Sequence, residues 1–339
     1  MKIFFKTLLY AVPTLGLMFL FSSSWLIEDY KKWTNLSNDT AKETIVIVKE
    51  SQIARDVYQE LSKKNLLDSS LYFYILARFD NQNEQIKHGE FTIPPYSTPR
   101  QIYKTLTTSQ KKQYSFTIVE GKTVKTILEN LSQRSNIKHT LLTDKKQEQT
   151  IKELGIKKEK LEGLFLAETY FYSKNNTDIS VLKRANSDLN KFLEQQWQKR
   201  SDNLPYKNSY EALIMASIIE KETGVADERA LIAGVFVNRL NIKMRLQTDP
   251  TVIYGMGDKY KGDIRYKDLK EKTAYNTYVI NGLPPTPIAI ASKASIIAAL
   301  NPKKTQALYF VASGGGRHKF SNNLKDHNKA VQQYLRNSK

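Results

Sequence analysis

Residues 8–27, LLYAVPTLGLMFLFSSSWLI, carry no charge, and a run of about 20 such residues has the length a helix needs to cross the hydrocarbon core of a bilayer. Lys2 and Lys6 precede it, Pro13 and Gly16 are tolerated in lipid, and Trp25 falls where an interfacial aromatic belongs. The apolar region of a cleaved signal peptide is shorter, and no A-x-A site follows Phe21; the serines at 22–24 keep cleavage open as the rival reading. Although Lys31 and Lys32 blunt the charge asymmetry, so short a leading segment predicts an N-terminus in the cytoplasm. The expectation is a single-pass protein of the inner (cytoplasmic) membrane. It has a cytoplasmic tail over 1–6, a transmembrane helix over 7–27 and a periplasmic, extracytoplasmic body.

Such a body works without ATP or a nicotinamide pool, and the chain contains no GxxxxGK[ST] and no GxGxxG. The absence of cysteine removes disulfides, thiol nucleophiles and Cys-based metal sites together. His318 and His327 have no third ligand nearby in sequence, so no metal and no cofactor is expected, and pairing of one of them with a carboxylate is the alternative use. A net charge of +18 suits nucleic acid, anionic lipid or an acidic glycan, and equally a solvated lysine-rich surface. The basic residues are not arranged around a groove-reading motif or a stacking platform, so nucleic acid is not an expected partner.

The remainder reads as an α+β chain. Residues 28–43 are polar and aperiodic, a spacer. TIVIV at 44–48 alternates like a strand, and the following segment, with Ser51 as N-cap, repeats Ile53, Val57 and Leu61 at helical spacing. Residues 116–134 match residues 46–64 at a separation of 70, pairing Glu50 with Glu120, Val57 with Ile127 and Leu61 with Leu131. Residues 88–106 give another strand, a Pro-rich turn and a helix. Such strand–helix units resemble LysM-like folds, which hold N-acetylglucosamine-containing glycan, though a repeat that only packs is equally compatible. The boundaries drawn are a LysM-like region over 44–115 and a catalytic region over 116–339.

Within the second region, Asn208 can cap a helix with Glu211 three residues on, and Ala212 to Ile219 are almost wholly apolar, so the helix is buried. It ends in Glu220 and Glu222, with Gly224 as stop. A carboxyl against an apolar wall keeps its proton more readily and can act as a general acid, whereas a carboxyl on a solvated last turn does nothing special; the residues alone leave both readings open. Asp227 can cap the next helix, in which Leu231, Val235 and Leu240 face the core and Glu228 and Arg229 form an exposed pair. Gly314 to Gly316 read as a flexible loop, and residues 324–336 as a terminal surface helix.

LEGLFLAETYFY (161–172), ASIIEKETG (216–224), RLQTDPTVIYG (245–255), YNTY (275–278), GLPPTPI (282–288) and YFVASGGGRHKFS (309–321) occur in that order. In sequence and order they resemble the YceG-like family of endolytic murein transglycosylases, from about residue 44 to the C-terminus. One departure is Ala167 and Glu168 where the family segment reads Pro and Asp. The resemblance implies a single catalytic glutamate at Glu220, the first acid of EKET. That residue would protonate the β-1,4 oxygen between N-acetylmuramic acid and N-acetylglucosamine, then take the proton of the muramic C6 hydroxyl as a 1,6-anhydro ring closes. Substrate contacts are expected from Gln247, Thr248 and Asp249, with Asp249 as a turn cap the alternative, and from Tyr254, Asn276 and Glu168. Nascent peptidoglycan strands are the implied substrate, the ending of chain elongation the implied role, and glycan-polymerising synthases the implied partners. A hydrolytic muramidase with a second essential carboxylate, a noncatalytic glycan-binding module and a tethered nucleic-acid binder remain the competing readings.

Overall fold

The structure, a computed structural model, describes residues 24–80, 85–108, 111–140, 147–174 and 176–337. Most of the expected transmembrane helix, and the tail before it, lie outside these residues. Among the described residues no helix is long and apolar enough to cross a membrane. The chain is a mixed α+β protein, with many helices and three two-stranded sheets among the described residues, in two compact units, one up to Tyr114 with residues 173 and 174, the other holding the rest.

The first unit begins with helix α1, residues 24–35. It continues with β1 (Thr44–Val48), α2 (Ala54–Lys63), α3 (Ser70–Ile75) with a π-helical extension Leu76–Asp80, β2 (Gly89–Ile93) and α4 (Pro99–Thr107). β1 and β2 pair antiparallel, Thr44 opposite Ile93 and Val48 opposite Gly89. The alternation seen in TIVIV sends Val46 and Val48 inward, to meet Phe91, Ile93, Val57, Leu61, Phe73, Ile102 and Leu106. Two sequence expectations are corrected. The first concerns the spacer: its residues 28–35 are helical, and Trp33 is buried in this core, its indole N–H donating to Asp68 Oδ1 at 2.6 Å and its ring tilted against Tyr72. A segment that contributes only a few apolar side chains shows too little periodicity to announce itself. The second concerns the cap of α2: the helix starts behind Ile53, whose N–H donates to Asp56 Oδ2 at 3.0 Å, and Ser51 does not cap it.

α4 has a reciprocal cap. Thr98 Oγ1 accepts from the Gln101 N–H at 3.3 Å, while Gln101 Oε1 accepts from the Thr98 N–H at 2.8 Å. Thr98→Ala is expected to destabilise this helix by about 1 kcal/mol, read as faster amide hydrogen exchange in its first turn.

In the second unit β3 (Tyr114–Thr117) pairs with β4 (Thr169–Tyr172). The helices are α5 (Val124–Ser132), α6 (Gln147–Leu154), α7 (Asp178–Gln198), α8 (Ser209–Glu222), α9 (Arg229–Asn241), α10 (Asp249–Met256), α11 (Lys293–Leu300) and α12 (Leu324–Asn337). β5 (Tyr309–Gly314) and β6 (Arg317–Ser321) form a hairpin before α12, which is the terminal helix expected from sequence. α8 is the central helix: every residue from Ala212 to Ile219 is buried, among side chains of α7, α9 and α11. Asn208 caps it as read, its Oδ1 accepting from the Glu211 N–H at 3.1 Å. α9 is buried from Ile232 to Val237, and Gly234 is required there because a Cβ would lie 2.3 Å from the Lys303 carbonyl oxygen. Of the three residues expected to face the core, Val235 is fully buried and Leu231 and Leu240 partly so.

The glycines at 314–316 close the β5–β6 hairpin, beside a bulge between Ala312 and Gly314, so the loose loop of the sequence reading is a tight turn. All three have positive φ, which accounts for glycine at each. Pro250 lies in the first turn of α10, two residues after the extended Thr248, where its missing N–H has no intrahelical partner to lose.

Candidate active site

At about 100° per residue, side chains two apart on a helix point about 200° apart, so Glu220 and Glu222 leave the end of α8 on opposite sides. Their surroundings differ accordingly.

Glu220 faces the start of α11. Its Oε2 accepts from the Ser292 N–H at 3.0 Å, Ser292 Oγ at 2.5 Å and Ser295 Oγ at 2.7 Å. Ser292 is the N-cap of α11, accepting from the Ser295 N–H, so Glu220 completes that cap and meets the positive end of the helix dipole. Three donors on one oxygen give this carboxylate a structural task. Beside it, Lys293 Nζ lies 2.6 Å from Glu168 Oε2. That hydrogen bond, first among its influences, holds the exposed Glu168 carboxyl below the usual range.

Glu222 faces the segment 247–251. Its Oε1 accepts a very short hydrogen bond from Thr248 Oγ1. Removal from water pushes its carboxyl up to about 7; the nearby Asp249 adds to the rise, while the Thr248 hydrogen bond and the charges of His318 and Arg239 oppose it. The segment that meets it is pinned from beneath. Gln247 N–H donates to the Thr277 carbonyl at 3.2 Å, Thr248 N–H to Thr277 Oγ1 at 3.1 Å, and Thr251 Oγ1 lies 2.8 Å from Thr277 Oγ1. Gln247, at φ 48°, and Asp249 are exposed beside it, and Asp249 Oδ1 accepts from Tyr278 Oη at 2.6 Å. Three of the expected contact residues, Gln247, Thr248 and Asp249, therefore gather at Glu222.

Of the other three expected contacts, Glu168 is the one paired with Lys293, and the remaining two lie elsewhere. Asn276 is buried, and its Nδ2 donates to the carbonyls of Asp268, Leu269 and Glu271 at 3.2, 3.1 and 2.8 Å, so the amide is committed to the loop. Asn276→Ala is expected to cost about 2 kcal/mol by leaving these carbonyls without their donor, measured by denaturant unfolding. Tyr254 packs edge-on against Tyr275 with ring centroids 4.8 Å apart and donates to Glu162 Oε2 at 3.2 Å. Glu162 is itself a buried acid, pushed up by burial and opposed by the Val124 N–H.

Behind Glu222 lies a clamp of which only a histidine–carboxylate pair is expected from sequence. Glu228 is buried, contrary to the exposed pair expected. Its Oε2 is 2.8 Å from His318 Nδ1, and its Oε1 accepts from the His318 N–H at 3.1 Å. Asp227 pairs with Arg317 at 3.0 Å and does not cap α9. Buried Arg239 donates to the carbonyls of Leu308 at 2.6 Å and Leu246 at 2.5 Å, fixing the chain just before Gln247. The E-x-E spacing at a helix end signals two opposed acids, but which of them meets the TDP segment depends on the packing around α8.

Fold and site together define an α+β protein that presents one half-buried acid, at the end of a buried helix, to a polar segment in which Gln247 and Asp249 are exposed and Thr248 is buried. The chain belongs to the YceG-like family, whose profile matches residues 46–333. It is 41% identical over 179 residues to an endolytic murein transglycosylase of Bacillus subtilis (strain 168), covering 52% of this chain and 49% of that protein. It is 27% identical over 334 residues to an endolytic murein transglycosylase of Streptococcus pneumoniae serotype 2, covering 89% of this chain and 60% of that one. The chain thus spans 49% and 60% of the lengths of these two relatives. The crystal structure of a putative yceG-like protein from Listeria monocytogenes superposes with a TM-score of 0.50 at 28% identity, over 86% of this chain and 99% of that one.

Proposed function

We propose that the chain is an endolytic lytic transglycosylase of peptidoglycan, with Glu222 as its acid and base. The carrying observation is the half-buried Glu222 carboxyl, pushed up to about 7 and oriented by Thr248. The names of the Bacillus and Streptococcus relatives support the activity and the polymer. Neutral Glu222 gives its proton to the glycosidic oxygen between N-acetylmuramic acid and N-acetylglucosamine as the C1–O bond breaks. The resulting carboxylate takes the proton of the muramic C6 hydroxyl while O6 bonds to C1, so the 1,6-anhydro ring forms, the acid is regenerated and no water is consumed. A group titrating near neutrality can play both parts. Glu220, the acid expected from sequence, keeps the cap of α11 in place.

In this reading Gln247, Asp249 and Glu168 offer polar groups to the glycan. The segment 7–27 anchors the body outside the cytoplasm, where it meets nascent strands and the synthases that make them, and cleavage ends their elongation. The β-α-α-β order of β1, α2, α3 and β2 is compatible with a LysM-like glycan-holding role for the first unit. The test is mass spectrometry of muropeptides released from purified peptidoglycan by the full chain in detergent. Anhydromuramic ends that disappear in Glu222→Gln and persist in Glu220→Gln support the proposal. Reducing ends from the unaltered chain would make it a hydrolase, and undiminished release by Glu222→Gln would remove this residue from the mechanism.

A further inference from the structure

Beyond α10 the chain forms a loop, residues 257–272, around a cavity of about 700 Å³. Five cations line it, Lys259, Lys261, Arg265, Lys267 and Lys270, against three carboxylates, Asp263, Asp268 and Glu271. Two of the carboxylates are engaged: buried Asp268 accepts from the Arg265 N–H at 2.8 Å, and Glu271 pairs with Lys259 at 3.9 Å. Lys270 lies over the Tyr266 ring at 4.3 Å. The side chains of Lys261, Arg265 and Lys267 have no ion-pair partner among the described residues. The Asn276 amide ties the carbonyls of Asp268, Leu269 and Glu271 together, so the backbone at this end of the loop is held. Like charges gathered around one cavity repel each other, and an anion bound among them relieves that repulsion.

We propose that this cavity binds a diphosphate group. A single carboxylate would leave half of the excess positive charge uncompensated, and an apolar ligand would find little to bury against lysine and arginine ends. A diphosphate diester, with one charge on each phosphate, matches the excess of cations, and its oxygens suit both the forked arginine and the lysine point charges. Met256, which ends α10, lines the cavity, and α10 starts directly after Thr248. At about 1.5 Å per residue the eight residues of α10 therefore put the cavity about 12 Å from the segment that meets Glu222. Resting on the function proposed above, the ligand is a glycan strand whose reducing end is still esterified to a lipid diphosphate, so that the site selects strands under construction; a free diphosphate has the same chemistry.

The test compares the full chain in detergent with its Lys261→Gln, Arg265→Gln, Lys267→Gln triple variant, whose changes are on exposed side chains outside the proposed catalytic group. Inorganic pyrophosphate is titrated by calorimetry at low salt, and cleavage is followed on glycan strands with and without a reducing-end lipid diphosphate. The expected result is about tenfold or greater weakening of pyrophosphate binding in the variant, a raised KM for the diphosphate-bearing strand only, and unchanged cleavage of the plain strand. Pyrophosphate binding lost in the variant with no difference between the strands assigns the cavity to free diphosphate. Equal pyrophosphate binding by both proteins, or none by either, overturns the site whatever cleavage does. Absence of cleavage of either strand by the unaltered chain overturns the proposed enzyme and leaves the binding result to decide the cavity.

Discussion

Glu222→Gln is expected to lower glycan turnover by about 10³–10⁴-fold, at the upper end of what one general acid–base group supplies, because the same carboxyl serves both proton transfers. Glutamine occupies nearly the same volume and can still accept from Thr248, so binding of the strand should survive and the loss should fall on kcat. The unaltered chain has a pH signature as well. The first step needs the protonated form, and that form falls about tenfold per pH unit above a pKa of about 7, so kcat/KM should decline along that limb. Glu220→Gln keeps the acid, and its turnover should retain the same alkaline limb. Turnover by Glu222→Gln within a few-fold of the unaltered chain would defeat the assignment.

The difference between the two glutamates also shows where the sequence is legible and where it is not. The apolar run from Ala212 to Ile219 and the Asn208 cap are local properties, and α8 forms where they place it, as do β1 and α12. Gln247 and Thr248 are polar chain between α9 and α10, and that too is a local property. What lies two residues apart at a helix end is not local. Glu220 reaches Ser292 and Glu222 reaches Thr248, 72 and 26 residues away, and no spacing in the chain says which acid meets which partner. Glu228 makes the same point: a charged residue at a helix start reads as solvated until the strand Arg317–Ser321 covers it with His318. Asn276 reads as a sugar-recognising amide only while the carbonyls it ties together are unknown.

The two glutamates should also differ in what they do to stability, and in opposite directions. The folded state raises the carboxyl of Glu222 from 4.5 to about 7. Below pH 4.5 the group is protonated in both folded and unfolded chains and costs nothing. Between the two values the folded state holds the extra proton, so stability falls as pH rises, and above 7 the folded chain carries an ionised, half-buried carboxylate at a cost on the order of 3 kcal/mol. Glu222→Gln removes that cost. It should therefore leave stability almost unchanged at pH 4 and raise it by about 2–3 kcal/mol at pH 8, read from denaturant midpoints at the two pH values. Glu220→Gln replaces an acceptor of three hydrogen bonds by an amide that offers one oxygen and two unwanted N–H groups, and should lose about 1–3 kcal/mol. An inactive variant that is more stable than its parent at pH 8 is the behaviour of a site that holds an acid where water would otherwise be, and a destabilised Glu222→Gln at that pH would show that its carboxyl is a structural partner like that of Glu220.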